Sequence, residues 1–211
     1  MERVLGVLGG RDMPTDLLKK WAETADFVLA ADSGADQLRA TGAKLYTLVG
    51  DLDSVSVEGM QAAHEVFNLP GQDCTDCDKL LQIAEHKGAT GITLACVEGD
   101  RIDHVLAVLA SCAASPLRAR LALRSGVGEV LKKGRHSFPA FVGQTLSLMP
   151  LIECSGVVFA GVNWPLNGCA LSPVGRASIS NVATQTSIEV ELPEGVAVLF
   201  RHFPRDEMPI W

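Results

Sequence analysis

The sequence predicts an α/β domain, built on a mainly parallel sheet with flanking helices, followed by a small all-β sandwich domain. Short β-rich runs alternate with segments of helical spacing through the first 125 residues, which is typical of a parallel sheet with helices on both faces. After about Gly126 the helical spacing disappears, and short strands separated by turn residues remain. This second pattern favours an antiparallel sandwich or barrel. We therefore predict an α/β domain over residues 1–125 and a β-sandwich domain over residues 126–211.

The individual elements follow from local patterns. In the first domain, runs rich in apolar and β-branched residues predict strands at Val4–Leu8, Phe27–Ala31, Leu45–Val49, Ile92–Val97 and Arg120–Leu123. Helical spacing between them predicts helices at Thr15–Thr24, Ser33–Thr41, Thr75–Lys87 and Ile102–Ala114. Pro14 suits a helix start, and Gly42 and Gly88 suit helix ends. In the second domain the predicted strands are Thr145–Met149, Val157–Val162, Ala177–Ser180, Ser187–Leu192 and Val196–Phe200.

The composition argues against several classes of protein. A formal net charge of −7, without a basic patch, is not typical of a nucleic-acid binder. No apolar run reaches the roughly 18 residues of a membrane span, and the first ten residues lack the pattern of a signal peptide. The six cysteines are too sparse for a small disulfide-stapled secreted domain. We therefore expect a protein of the reducing cytoplasm that contacts neither nucleic acid nor membrane.

Carboxylates recur where the predicted strands of the first domain end. DSG follows VLAA, DLDS follows YTLVG, and GDRIDH follows ITLACVE. The carboxyl ends of the strands are where open α/β sheets bind their ligands. Helix capping explains Asp32, Ser33 or Thr75 when each is taken singly.

Capping does not explain Asp51 and Asp53 together. Two residues apart in an extended segment, their side chains point to the same side. Two adjacent carboxylates repel each other unless a cation lies between them. Magnesium prefers oxygen ligands and is typically held by one or two carboxylates together with substrate phosphates. The pair therefore predicts a metal site.

Two further charged pairs lie near this edge. Lys79 lies three residues after Asp76, so both side chains share one face of the predicted helix, although an ordinary surface ion pair is the alternative. Arg101 and Asp103 are two residues apart, and an arginine in such a cluster can neutralise phosphate through bidentate contacts. Gly99 would let the backbone approach a phosphate closely.

The second domain carries one candidate ligand-binding group. Trp164, in GVNWPL, is flanked by Asn163 and Pro165 and followed by turn residues, so we predict that its ring is partly exposed. Ser178, Ser180 and Asn181 form a polar group at the end of a predicted strand. They are either a hydrogen-bonding site or a turn.

The motifs AADSGAD, LVGDLDS, DCTDCDKLL and GDRIDH, in this order, resemble the nucleotide-binding half of the thiamine pyrophosphokinase family. The segment GVNWPLNGCALSPVGRASISN is similar to that family's C-terminal signature. The resemblance implies an α/β domain followed by a β-sandwich, a homodimer, and Mg²⁺-dependent transfer of a pyrophosphoryl group from ATP to the thiamine hydroxyl. The sequence departs from the family pattern at Cys96, where Gly is expected, and at Asp100, which adds a negative charge.

The resemblance also implies roles for individual residues. An acidic metal and catalytic cluster would consist of Asp32, Asp51, Asp53 and Asp76, with Asp51, Asp53 and Asp76 as metal ligands. Asp32, Ser33, Lys79 and Gly99 would belong to the binding site for the nucleotide and its metal, and Arg101 and Asp103 would lie at the phosphates. Trp164 would stack on thiamine, and Ser178, Ser180 and Asn181 would complete the thiamine pocket.

The distribution of these motifs predicts a homodimer whose active site is shared between chains. The acidic and phosphate motifs precede residue 105, the proposed thiamine residues follow residue 160, and the connection near Gly126 is short. A short connection makes it hard for one sandwich to cover the edge of its own sheet, whereas twofold symmetry delivers it to the partner. The alternative is a monomer with a cleft between its own domains.

Two other functions remain open. A pyrophosphokinase acting on another heterocyclic alcohol, such as a hydroxymethyl-pterin, could also stack its substrate on Trp164. A non-catalytic thiamine- or nucleotide-binding protein is the second alternative. Four carboxylates argue against it, because a mere binder of a polyanion has no use for them.

Overall fold

The computed structural model describes residues 3–11, 13–43, 46–71, 73–99, 101–204 and 207–211. The chain divides into two compact units. The first comprises the residues up to Arg124 together with Pro209–Trp211, and the second comprises Ser125–Met208. None of the helices in the described ranges is both long and apolar enough to cross a membrane.

The first unit alternates strands and helices. Its strands are β1 (Val4–Val7), β2 (Phe27–Ala31), β3 (Thr47–Gly50), β4 (Glu65–Asn68), β5 (Gly91–Ala95) and β6 (Arg118–Leu123). Its helices are α1 (Thr15–Thr24), α2 (Gly34–Thr41), α3 (Val57–Ala62), α4 (Asp76–His86) and α5 (Ile102–Ala114). The predicted α/β class is confirmed. Leu45, the predicted start of the third strand, lies outside the described residues.

All the strands of this unit pair in parallel, in the order β6-β5-β1-β2-β3-β4. The chain moves outward from β1 to β4 in one direction and then returns to β5 on the other side of β1. The order therefore reverses between β1 and β5. The loops that leave the carboxyl ends of these two strands diverge, and this leaves a crevice at the edge where α/β sheets bind ligands.

The core of the first unit lies between the sheet and its helices. The strands β1, β2, β3 and β5 are almost entirely buried, as expected for parallel strands covered on both faces. Helix α1 begins after Pro14 and buries Leu17, Leu18 and Trp21. Trp211 packs edge-on against Trp21, with ring centroids 5.0 Å apart, and its indole N–H donates to Thr24 Oγ1 at 2.7 Å.

The second unit is all β, as predicted. Its strands are β7 (Gly126–Leu131), β8 (Gly134–Pro139), β9 (Thr145–Pro150), β10 (Cys154–Ala160), β11 (Leu166–Leu171), β12 (Ser178–Val182), β13 (Ser187–Leu192) and β14 (Ala197–His202). One antiparallel set runs β12-β9-β14-β7 and the other β11-β10-β13-β8. One apolar core unites side chains from both sets, among them Leu148, Leu199, Phe159 and Val190. This is the packing of a sandwich.

Candidate active site

A cleft of about 760 Å³ lies in the first unit, at the carboxyl edge of the sheet. Residues that follow four different strands line it, among them Gly10 after β1, Asp32 after β2, Asp51 after β3 and Gly99 after β5. The start of α4 contributes Asp76 and Lys79. The cleft therefore occupies the crevice that the reversal of strand order creates.

Three carboxylates meet in this cleft. One oxygen from each of Asp32, Asp51 and Asp53 lies within 4.8 Å of the others. The sequence led us to expect an extended segment from Asp51 to Asp53. The segment is not extended, because Leu52 between them adopts a left-handed φ of 67°. The turn brings the Asp53 backbone N–H to 3.4 Å from Asp51 Oδ1. The two carboxylates thus share a site because of a turn.

Asp32 is the buried member of the group. Its own φ of 41° is left-handed, and its Oδ1 accepts a hydrogen bond of 2.9 Å from the Leu52 backbone N–H. Its Oδ2 is buried, and no described residue donates a hydrogen bond to it. Burial first, and then the negative charges of Asp76 and Asp51, raise the pKa of Asp32 to about 6.

Gly50 makes room for this carboxylate. A Cβ atom at Gly50 would lie 2.3 Å from both oxygens of Asp32. A side chain at this position would therefore displace the carboxylate.

Lys79 balances part of the negative charge. Its side chain is only 4% exposed, and its Nζ lies 3.3 Å from Asp76 Oδ1 and 3.8 Å from Asp51 Oδ2. Burial alone would lower the pKa of Lys79, but the carboxylates of Asp76, Asp51 and Asp32 outweigh burial and raise it. The expected Asp76–Lys79 contact is present, and it belongs to the cleft rather than to an ordinary surface ion pair.

The donor set of the cluster fits a hard divalent cation. It offers carboxylate oxygens, the ligands that Mg²⁺ prefers, and one of them is buried without a hydrogen-bond donor among the described residues. The carboxylate of Asp51 raises the pKa of Asp53, as expected for two negative charges without a cation between them. Asp76 lies in the same cleft, but the close group is formed by Asp32, Asp51 and Asp53.

The first turn of α4 is fixed by a capping box. Thr75 Oγ1 accepts a hydrogen bond of 3.1 Å from the Asp78 backbone N–H, and the Thr75 backbone N–H donates to Asp78 Oδ2 at 2.9 Å. This reciprocal pair satisfies two backbone N–H groups at the helix start. It holds the turn from which Asp76 and Lys79 enter the cleft.

Arg101 also lines the cleft. Its Nε donates to Asp103 Oδ1 at 3.2 Å, and both side chains are exposed. Asp103 itself lies outside the lining and orients the guanidinium. Cys96, which stands where the family pattern has Gly, has a left-handed φ of 55°. This conformation explains why glycine is the expected residue. Asp100 lies outside the described residues.

The sequence patterns did not point to the glycines after β1. Gly9 and Gly10 line the cleft, and a Cβ at Gly9 would lie 2.5 Å from Ser33 Oγ, which also lines it. The Gly10 N–H donates to the Cys96 carbonyl at 3.0 Å and ties the two diverging loops together. The Gly-Gly pair directly after the first predicted strand was the available signal.

The second unit brings its four predicted residues together at β12. Trp164 is 62% exposed, in the turn between β10 and β11. Asn181 is buried and binds the Trp164 backbone from both sides, while Ser178 is buried beside it. Ser180 is exposed, with a φ of 52°, where the pairing of β12 with β9 shifts by one residue. The group is therefore a bulged strand end beneath an exposed indole.

Two family models match most of the chain. The model described as thiamin pyrophosphokinase, catalytic domain, matches residues 18–122, and the model described as thiamin pyrophosphokinase, vitamin B1 binding domain, matches residues 133–197. The first match falls within the α/β unit and the second within the sandwich unit.

Solved structures share the fold. The structure of a thiamin pyrophosphokinase family protein from Enterococcus faecalis has a TM-score of 0.81 at 23% identity, and the match covers 96% of this chain and 99% of that chain. Thiamin pyrophosphokinases from Candida albicans and yeast have TM-scores of 0.80 and 0.76 at 16% identity. Those matches cover 95% of this chain and 88% and 86% of the two others. No curated protein matches the chain in sequence at a significant level.

Proposed function

Since the chain belongs to the thiamin pyrophosphokinase family, we propose that its acidic cluster holds Mg²⁺ and that the cleft binds ATP as the pyrophosphoryl donor. The chain is a thiamine diphosphokinase, which converts thiamine and ATP into thiamine diphosphate and AMP. The assignment of individual residues to the steps of this reaction is our proposal.

One observation carries the metal assignment. Asp32, Asp51 and Asp53 lie within 4.8 Å of one another, with a buried oxygen of Asp32 that lacks a donor among the described residues. Without a cation this arrangement would repel a polyphosphate, since Asp76 adds a fourth carboxylate and Lys79 offsets only one of them. A bound Mg²⁺ would neutralise the carboxylates and polarise the phosphoryl oxygens of ATP.

The residues of the cleft would then position the reacting groups. The hydroxyl oxygen of thiamine attacks the β-phosphorus of ATP in line, the bond from that phosphorus to the α,β-bridging oxygen breaks, and AMP leaves. The hydroxyl proton passes to a carboxylate of the cluster. Lys79 and Arg101 stabilise negative charge that builds up on the phosphoryl oxygens, and Gly99 lets the backbone approach them. Little covalent chemistry is required of the protein.

The sandwich unit would supply the thiamine site. The exposed indole of Trp164 offers a flat surface for stacking, and the thiazolium of thiamine is a cation, which an indole attracts. The exposed Ser180, on the bulge of β12, lies in the same group and offers a hydroxyl to the ligand.

We further propose a homodimer in which each active site combines Trp164 of one protomer with the acidic cluster of its partner. The two units follow each other directly at Arg124 and Ser125, which supports the short connection that this arrangement requires. Helix α5 exposes Ile102 and Leu106, 71% and 60% exposed and one turn apart. These two side chains would lose their contact with water if a partner packed against this helix.

All six cysteines carry free thiols. This supports the proposal that the protein works in the reducing cytoplasm.

The assay that tests the proposal measures AMP release by the intact protein with thiamine, ATP and Mg²⁺. We expect turnover that stops with EDTA and returns with excess Mg²⁺. A hydroxymethyl-pterin in place of thiamine tests the main alternative, and we expect no turnover with it, because its neutral ring lacks the charge of the thiazolium. Binding of thiamine and ATP without AMP release would instead support the non-catalytic alternative.

A further inference from the structure

We propose that Asn181 is a positioning residue, which holds Trp164 in place for stacking and does not itself bind thiamine. The sequence resemblance placed Asn181 in the lining of the thiamine pocket. The proposal rests on the proposed function, in that Trp164 is taken as the surface on which thiamine stacks.

The carboxamide of Asn181 clamps the backbone of Trp164. The Trp164 backbone N–H donates to Asn181 Oδ1 at 3.1 Å, and Asn181 Nδ2 donates to the Trp164 carbonyl at 2.8 Å. This pair of bonds imitates the contact that a neighbouring strand would make. It fixes the peptide groups on both sides of the residue that carries the indole.

The remaining hydrogen-bonding capacity of Asn181 is also used within the protein. Its Oδ1 accepts a second bond of 2.9 Å from the Val182 backbone N–H, and its Nδ2 donates a second bond of 3.1 Å to Ser178 Oγ. A carboxamide has two N–H donors and one oxygen with two lone pairs. All four positions are therefore occupied, and a ligand could bond to Asn181 only by breaking one of these bonds.

The burial of the two side chains agrees with this division of roles. Asn181 is 1% exposed, whereas Trp164 is 62% exposed. Asn181 therefore offers almost no accessible surface to a ligand, whereas Trp164 offers a large one. The amide acts on the ligand through the indole.

The surrounding backbone leaves this turn dependent on Asn181. In the part of the chain that the structure describes, the last of the backbone bonds between the two segments comes from Asn163, whose N–H donates to the Val182 carbonyl at 2.9 Å. The next residue after Trp164 is Pro165, which has no N–H to donate and restricts Trp164 to extended conformations. The side chain of Asn181 thus continues the pairing where the backbone pairing stops.

The test combines kinetics with amide hydrogen exchange on the intact protein. Asn181→Ala should raise the thiamine KM about five-fold while the ATP KM and kcat change by less than about two-fold. Asn167→Ala, which removes an exposed asparagine from β11 of the same unit, is the matched control and should leave all three constants unchanged. The Trp164 amide should exchange faster in Asn181→Ala, while the amides of β13 keep their protection.

A double-mutant cycle separates positioning from direct contact. Trp164→Ala should raise the thiamine KM roughly ten-fold. In the Trp164→Ala protein, the additional substitution Asn181→Ala should raise the thiamine KM by less than about two-fold. The reason is that Asn181 acts by positioning the indole, which this protein lacks. If Asn181→Ala raises the thiamine KM by the same factor in the wild type and in Trp164→Ala, then Asn181 contacts thiamine and the proposal is overturned.

A second variant and the exchange measurement test the proposal even if a protein fails to fold or shows no activity. If Asn181→Ala does not fold, Asn181→Asp takes its place, since a carboxylate keeps both accepted bonds and loses both donated ones. If the wild-type protein turns over no thiamine, the proposed function fails. The exchange of the Trp164 amide then decides the positioning role alone, and unchanged exchange in the Asn181 variant would contradict it.

Discussion

At the scale of single residues, Asp32 is held in a state that disfavours its charge. The carboxylate is buried, one of its oxygens lacks a donor among the described residues, and neighbouring carboxylates raise its pKa. Its backbone φ of 41° is unusual for a residue with a side chain. Strain of this kind clusters at functional sites. A bound cation would relieve the electrostatic part.

Removal of this charge should therefore stabilise the metal-free protein. The pKa of Asp32 is about 6 in the folded state, above its ordinary 3.8. The folded state binds the extra proton, so the stability from protonation is present below the ordinary value and is lost as the pH rises through 6. We expect Asp32→Asn to raise the free energy of unfolding in EDTA by about 2 kcal/mol at pH 8.

The gain from Asp32→Asn should shrink as the pH falls toward 5, and Mg²⁺ should stabilise the wild type more than the variant. Urea unfolding at both pH values, with and without Mg²⁺, measures this. A gain that does not depend on pH would mean that the charge of Asp32 is not the cause.

Loss of Asp51 or Asp53 should abolish turnover without unfolding the protein. Asp51→Ala and Asp53→Ala each remove an oxygen ligand from the cluster, and we expect kcat/KM to fall by roughly a hundred-fold or more. Glu58→Ala is the matched control, since it removes an exposed carboxylate from α3, outside the cleft. Near-normal activity of either variant at ordinary Mg²⁺ would exclude that residue from the metal site.

The sequence predicted the position of these residues better than their geometry. Asp51 and Asp53 were grouped on the assumption of an extended segment, whereas a left-handed Leu52 brings them together. The donor-free oxygen of Asp32 and the space left by Gly50 depend on contacts between residues distant in the chain. No local pattern encodes such contacts.

At the scale of elements, α4 shows how a helix start can serve a site. The capping box of Thr75 and Asp78 fixes the first turn, and Asp76, the first helical residue, forms an ion pair with Lys79 three residues later. The helix start thus sets the position of two charged groups in the cleft. Stability of the cap and geometry of the cleft are coupled here.

Thr75→Ala should test the cap directly. The substitution removes the acceptor for the Asp78 N–H, and we expect the free energy of unfolding to fall by about 1 kcal/mol. Thr75→Ser keeps an acceptor hydroxyl and should retain most of the stability. Chemical denaturation measures both variants, and equal losses in the two would show that the hydroxyl does not cap the helix.

Three of the four strands that the sequence did not predict share a physical property. The strands β4, β8 and β11 are edge strands of their sheets, and half of the residues in each of them are exposed. Edge strands need fewer apolar residues, since one side of each is unpaired. The sequence did not predict β7 for another reason, which is that this strand begins with glycine, a residue that weakens a strand pattern. A Cβ at Gly126 would lie 2.1 Å from the Arg201 carbonyl. Glycine there reflects close approach of a neighbouring strand.

At the scale of the whole molecule, the proposed shared site makes a quantitative prediction. Asp51→Ala chains mixed with Trp164→Ala chains, after subunit exchange at low thiamine, should form heterodimers with one intact site each. Random exchange of equal amounts makes about half of the dimers heterodimers, and each of these has one intact site out of two. The mixture should therefore contain about a quarter of the intact sites of the wild type. Steady-state AMP release measures the recovery. Activity that stays at the level of the parents, after exchange is demonstrated by mass spectrometry, would refute a shared site.

The apolar face of α5 offers an independent test of the dimer. Leu106→Asp places a charge on that face, and we expect the dimer dissociation constant to rise by about a hundred-fold or more. Val174→Asp is the matched control, since Val174 is exposed in the loop between β11 and β12. Sedimentation velocity measures both. Unchanged association of the Leu106 variant would place the interface elsewhere.

The packing of Trp211 on Trp21 also has a consequence for synthesis in the cell. Residues 209–211 belong to the first unit, although a ribosome makes them after every strand of the second. Translation adds about 5–20 residues per second, so the α/β unit waits for its last aromatic contact while the sandwich strands emerge. The unit that leaves the ribosome first is thus the last to be completed. Until then Trp21 lacks the edge-on aromatic contact that Trp211 provides.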